Sequence, residues 1–151
     1  MLDIRPLTAA DHDAVLPMVR DFYRSPAVEH DLPEDILERA FQAAADPGEP
    51  FLDGYLLLEE DRAVGYCYVV NAYASEAGGR MALVEELFLL PQCRGKGYGS
   101  QVFAYLMDHY PHARRFRLEV AQTNPGAARL YARLGFRVLP YQQMILDRSF
   151  S

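Results

Sequence analysis

Apolar residues recur along the chain in short runs, some at the two-residue period of a strand and others at the three-to-four spacing of a helix face. Leu2-Asp3-Ile4-Arg5 alternates and predicts an opening strand that meets Pro6. Thr8 is a capping residue ahead of a helix over residues 9–24, where Ala14, Val15, Met18, Val19 and Phe22 have helical spacing. Pro17 inside that stretch predicts a kink or a short first segment. After the break at Ser25-Pro26, a second helix is expected from about Asp31 through Pro33 to Ala45, with Ile36, Leu37, Ala40 and Phe41 on one face. The turn residues Asp46-Pro47-Gly48-Glu49-Pro50 end it.

Strands are expected over residues 51–59, 63–73 and 82–90, the first two joined by Glu60-Asp61-Arg62 and the last two by the polar loop from Ser75 to Arg80. Residues 98–110 predict a helix that turns Val102, Phe103, Leu106 and Met107 inward. Then come a strand at 116–120, a helix at 124–134 and a strand-like stretch at 137–146 with a break at Pro140. With no repeat or low-complexity linker, this order predicts a single α/β (mixed α+β) domain over residues 1–151, one mixed sheet covered by helices.

Composition narrows the class. Half of the 151 residues are hydrophobic and 24% are charged, enough apolar material for a core. No stretch approaches the ~18 uninterrupted apolar residues of a membrane span, and the early charges of Met1-Leu2-Asp3-Ile4-Arg5 do not suit a signal peptide. A soluble cytoplasmic domain without a membrane partner is expected. Cys67 and Cys93 are too few for a disulfide framework or a four-Cys zinc site. His12, His30, His109 and His112 show no metal spacing, so no metal is expected. Residues 1–91 carry 18 Asp/Glu against 6 Arg, whereas residues 92–151 carry 9 Lys/Arg against 3 Asp/Glu. Such asymmetry suits two ligands of opposite sign, or two merely solvated faces. The dispersed basic residues, without a basic-aromatic motif, argue against nucleic acid.

The strongest chemical signal is Arg94-Gly95-Lys96-Gly97-Tyr98-Gly99, followed by Ser100, between an apolar strand and an amphipathic helix. Closely spaced glycines let main-chain N–H groups converge on one anion. The helix start adds partial positive charge, and Arg94 and Lys96 add full charges. A pyrophosphate is the expected ligand. The G-x-G-x-x-G dinucleotide pattern fails because Ser100 stands where the last glycine belongs, and the Walker pattern fails because Gly97 follows Lys96.

The loop does resemble the R-x-x-G-x-G signature of the GCN5-related N-acetyltransferase (GNAT) superfamily, as Arg94, Gly97 and Gly99. The run from Val84 to Gly99 is similar to that superfamily's fourth strand and coenzyme A loop. Asn124 to Phe136 resembles its second signature, N-x-x-A-x-x-L-Y-x-x-x-G-F. Together they cover about residues 82–146. Cys93 departs from the pattern, standing where an aromatic or His is usual.

The resemblance implies a mostly antiparallel mixed sheet, splayed at the fourth strand and flanked by about four helices. It implies acetyl-CoA as co-substrate, cradled by backbone groups of Arg94, Gly95, Lys96, Gly97, Tyr98, Gly99 and Ser100, with Asn124 touching the pantetheine. Main-chain groups of Leu87, Phe88 and Leu89 would pair with that arm as an extra strand. The implied reaction is direct attack of a primary amine on the thioester, with Glu85 as general base, Glu86 as runner-up and Tyr131 as general acid. Strand alternation would let only one of Glu85 and Glu86 face the cleft. For the acceptor, the acidic half and its aromatics, Phe22, Tyr23, Glu29, Tyr66 and Glu86 among them, suit a small cationic amine or a peptide amine. A non-catalytic acyl-CoA sensor on the same fold is the alternative, and a homodimer is admitted by analogy only.

Overall fold

The computed structural model describes residues 1–25, 32–120 and 125–148. Five strands, β1 (Leu2–Pro6), β2 (Leu52–Glu59), β3 (Arg62–Ala74), β4 (Gly79–Leu89) and β5 (Ala113–Leu118), lie side by side in sequence order. The first four run antiparallel and β5 runs parallel to β4. A parallel neighbour needs a crossover, and α3 (Tyr98–His109) supplies it. The remaining helices are α1 (His12–Tyr23), α2 (Glu34–Ala45) and α4 (Pro125–Arg133). Among the described residues no helix is long and apolar enough to cross a membrane.

Side-chain alternation along the strands builds one apolar layer on each face of the sheet. Val15, Leu16, Met18 and Val19 of α1 and Leu37 and Phe41 of α2 pack with Leu56, Tyr66, Tyr68 and Phe88. Val102, Phe103 and Leu106 of α3 pack with Leu57, Cys67, Val69, Ala82 and Val84 on the other face. Each large side chain so enclosed contributes about 1.5–3 kcal/mol.

Several expectations are corrected. Thr8 caps a short 3-10 turn, Ala9–Asp11, and α1 starts after it. The helix then runs through Pro17 instead of stopping there. Asp11 fastens this corner: its Oδ2 accepts the Thr8 N–H at 2.8 Å, and the Arg5 guanidinium grips both carboxylate oxygens at 2.9 Å. On α1 the buried stripe takes in Leu16 and leaves Ala14 exposed. On α3, Met107 faces solvent at 50% exposure, one step past the stripe set by Val102, Phe103 and Leu106. The final strand is absent: residues 136–148 form neither helix nor strand and leave Val138, Met144, Ile145 and Leu146 exposed. Pro140 interrupts that run, offers no ladder donor and fixes its own φ.

Candidate active site

β4 changes phase part-way along. Ala82 and Val84 face the α3 side, and so do Leu87 and Leu89, whereas Phe88 packs on the α1 side. One extra residue must therefore lie between Val84 and Leu87. The register shows it: Tyr68 pairs with Glu86, Val69 pairs with Val84, and Glu85 has no partner on β3. Such a bulge bends the strand and sends its two residues to about the same side. The Tyr23 phenol of α1 feels the charges of both Glu86 and Glu85. Strict alternation is thus interrupted at the acidic pair: Glu86 turns to Tyr23 of α1, and Glu85 is exposed at the bulge.

The bulge also separates the strands. Parallel pairing of β4 with β5 runs from Arg80↔Ala113 to Val84↔Leu118 and stops there, although β4 continues to Leu89. Because the Leu90 N–H donates to Val64 O at 2.8 Å, main-chain groups of Phe88 and Glu86 also point to β3, and those of Leu87 and Leu89 point out of the sheet. This splayed edge can accept an extended ligand as one more strand.

The glycine loop closes one end of the edge. Pro91–Cys93 make a 3-10 turn, and Gly97 caps α3 in the left-handed conformation (φ 80°, ψ 12°). A Cβ on Gly95 or Gly97 would meet nothing within 4 Å, so both positions border open space. The first N–H groups of α3 have no helical acceptor and carry the positive end of its dipole. Gly99 serves packing instead: a Cβ there would come 2.7 Å from Leu130 Cδ2 of α4. The basic side chains of the loop hold other protein groups. Arg94 Nε donates to Leu89 O at 2.9 Å, its guanidinium carbon lying 5.5 Å from the Phe88 ring centre. Lys96 Nζ lies 3.3 Å from Glu59 Oε2.

Behind the bulge, Glu86 is buried and accepts two phenol protons, from Tyr23 at 2.6 Å and Tyr66 at 2.7 Å. Desolvation raises its pKa against the pull of those two bonds, and the Glu85 charge adds to the rise. Tyr68, also buried here, has a hydroxyl with no hydrogen-bond partner among the described residues. Glu85 is exposed by surface area, yet its carboxylate keeps enough protein around it for desolvation to raise its pKa, followed by the like charge of Glu119, with Arg117 opposing. Phe22 is partly buried, its ring edge-on to Tyr23 and Tyr66.

Tyr131 lies on the opposite face, its ring edge-on to Phe103 at 5.6 Å and Phe136 at 6.0 Å. Burial raises its pKa, so it keeps its proton at neutral pH. It is close enough to feel Cys67, the cross-strand partner of Leu87. A cleft of about 870 Å3 includes Tyr131 but lies between β5, α4 and the C-terminal segment and is lined by none of the loop residues 94–100. The glycine loop, the open strand edge and the acidic bulge instead converge beside it.

A family model described as the acetyltransferase (GNAT) family matches residues 14–136. The chain belongs to that family. Its fold is shared with a possible acetyltransferase from Clostridium difficile 630, at TM-score 0.82 and 16% identity over 99% of each chain. It is also shared with a ribosomal-protein-alanine N-acetyltransferase from Brucella melitensis biovar Abortus 2308, at TM-score 0.77 and 16% identity over 97% of this chain and 99% of that one. A third similar structure is the aminoglycoside N-acetyltransferase AAC(6')-Iy with the bisubstrate analogue CoA-S-monomethyl-acetylneamine, at TM-score 0.77 and 15% identity over 99% of each chain. No curated protein matches the sequence.

Within this acetyltransferase fold, the expected site residues fall into groups. Leu87, Leu89 and residues 94–100 bound the open edge, with Glu85 at the bulge. Tyr66, fully buried, and Glu86 form the layer behind it. Glu29 and Asn124 lie outside the described residues. The sequence reading missed Glu59, which belongs to no local motif and is 37 residues from the Lys96 it contacts.

Proposed function

We propose that the chain transfers an acetyl group from acetyl-CoA to a primary amine by direct attack. The observation that carries this reading is the pairing of a glycine-capped helix start with a strand edge that opens at a bulge, leaving Leu87 and Leu89 main-chain groups outward. The open space at Gly95 and Gly97 fits a diphosphate held by N–H groups from Gly95 to Ser100. The pantetheine arm would pair with Leu87 and Leu89, and Asn124 of the second signature is proposed to touch it. When bound, the donor supplies a thioester carbonyl. The outward Leu87 N–H would then stabilise negative charge developing on its oxygen, an effect worth about 3 kcal/mol for one such donor.

An alkylamine has a pKa of ~10 and must lose a proton to attack. Glu85 is the proposed base: it is exposed at the bulge, and its raised pKa makes it a better proton acceptor. Glu86, buried and bonded to two phenols, supports α1 and the bulge from behind. Tyr131 is the proposed acid for the departing thiolate. The acceptor class is a cationic amine, small or peptide-borne, supported by the acidic half of the chain, to which Glu29 belongs, and by Phe22 and Tyr23 at the end of α1. Two structural relatives, a ribosomal-protein-alanine N-acetyltransferase and an aminoglycoside N-acetyltransferase, fit the same broad amine class.

A thiol-release assay with acetyl-CoA and a panel of cationic, neutral and acidic amines tests the proposal. Amine-dependent thiol release, fastest with cationic acceptors, is expected. Donor binding without release would instead assign a sensor.

A further inference from the structure

We infer that Glu59 is a positioning residue for the glycine loop: its carboxylate ties together Lys96 and Tyr98, the residues on either side of Gly97, and holds the loop in the shape that receives the donor's diphosphate. This rests on the reading of the loop as the donor cradle.

Glu59 is the last residue of β2, in register with Leu2 on β1 and Arg62 on β3, so its backbone is fixed by the sheet on both sides. Its side chain is 16% exposed and reaches across to the loop. Oε2 accepts the Tyr98 hydroxyl and lies 3.3 Å from Lys96 Nζ, while Oε1 lies 3.7 Å from Arg62 Nη2. Tyr98 is itself buried as the first residue of α3, and Lys96 Nζ sits 5.8 Å from its ring centre.

Lys96 is bracketed by Gly95 (φ 77°) and Gly97 (φ 80°), the two loop positions with the greatest backbone freedom. Ordering such a loop at the moment of binding would cost affinity, and an anchor fixed to the sheet removes part of that cost beforehand. A carboxylate near a diphosphate would ordinarily repel it. Here Lys96 and Arg62 both pair with that carboxylate and offset its charge. The Tyr98 hydrogen bond, foremost, lowers the Glu59 pKa and keeps the group ionised.

Calorimetric titration of coenzyme A into wild type, Glu59→Ala, Glu59→Gln and Tyr98→Phe tests the inference, alongside steady-state kinetics. Glu59→Ala should weaken coenzyme binding about tenfold and raise the donor KM by the same factor, with kcat and the amine KM unchanged. Glu59→Gln, which keeps an acceptor for Tyr98, should recover most of the loss. Wild-type affinity or tighter in Glu59→Ala would overturn the clamp alone. If Glu59→Ala fails to fold, Tyr98→Phe decides, since it keeps the ring: a loss of about threefold or more supports the clamp, and unchanged affinity overturns it. Absence of binding by wild type would sink the cradle and the clamp with it.

Discussion

The Tyr23 hydroxyl donates to Glu86 Oε2 at 2.6 Å and thereby joins the last residue of α1 to the strand at the point where β4 leaves β5. A second phenol, Tyr66, donates to the other oxygen at 2.7 Å. The bulge is thus tied to α1, the helix of the proposed acceptor side, and Glu85 projects from a supported backbone.

Glu86 gives the fold a pH signature. Burial raises its pKa above the ordinary 4.5, so its contribution to stability is complete below that value and is lost as pH rises through the raised pKa. Thermal melts of wild type and Glu86→Gln from pH 4 upward should show the variant improving relative to wild type as pH increases. A constant offset would contradict the shift.

Asp11 should behave in the opposite sense. The Arg5 hydrogen bond, foremost, holds its pKa below 3.8, so its contribution is present at neutral pH and disappears as pH falls through the lowered value. Asp11→Asn should cost about 1 kcal/mol at pH 7. Denaturant titrations should find that gap closing below the ordinary carboxyl range.

As the proposed base, Glu85 with its raised pKa should set the acid limb of catalysis. The rate should climb with pH as the carboxyl loses its proton at an apparent pKa above 4.5. Glu85→Gln should lower kcat/KM by roughly 10²–10⁴ and abolish that limb, and a pH–rate profile of both proteins checks this.

Tyr131→Phe should cut turnover about a hundredfold or more while leaving coenzyme affinity and melting temperature near wild type. The phenyl ring retains its contacts with Phe103 and Phe136. Parallel kinetics and calorimetry separate these quantities, and unchanged turnover would remove Tyr131 from the mechanism.

Two glycines in one loop should fail for different reasons. Gly97→Ala strains a left-handed residue by about 1–2 kcal/mol and places a methyl in open space, so coenzyme binding should fall while the protein stays folded. Gly99→Ala pushes a methyl to 2.7 Å from Leu130 Cδ2 and should lower the melting temperature by loosening α3 from α4. Binding and melting curves on the two variants give the contrast.

The helix faces and strands were largely legible because burial imposes periods that Val15, Val19, Val102 and Leu106 display locally. The bulge was legible only indirectly: apolar positions at Ala82 and Val84 resume at Leu87 and Leu89, one residue out of phase, with Glu85-Glu86 between. Alternation alone does not show the bulge, nor which of the two carboxylates is buried: Glu86 is, and Glu85 is exposed. The motif residues were visible as motifs, but their side-chain partners were not. Arg94 and Lys96 turn to Leu89 and Glu59, contacts that depend on tertiary placement. The stretch at 137–146 has strand-like apolar positions, yet Pro140 lies within it and no regular element forms.

The most direct test follows backbone amide resonances while coenzyme A is titrated into the labelled protein. The largest shifts should fall on Gly95, Gly97, Gly99 and Ser100 and continue along Leu87 and Leu89. Shifts confined instead to the cleft between β5, α4 and residues 134–143, with the loop silent, would contradict a cradle at the start of α3.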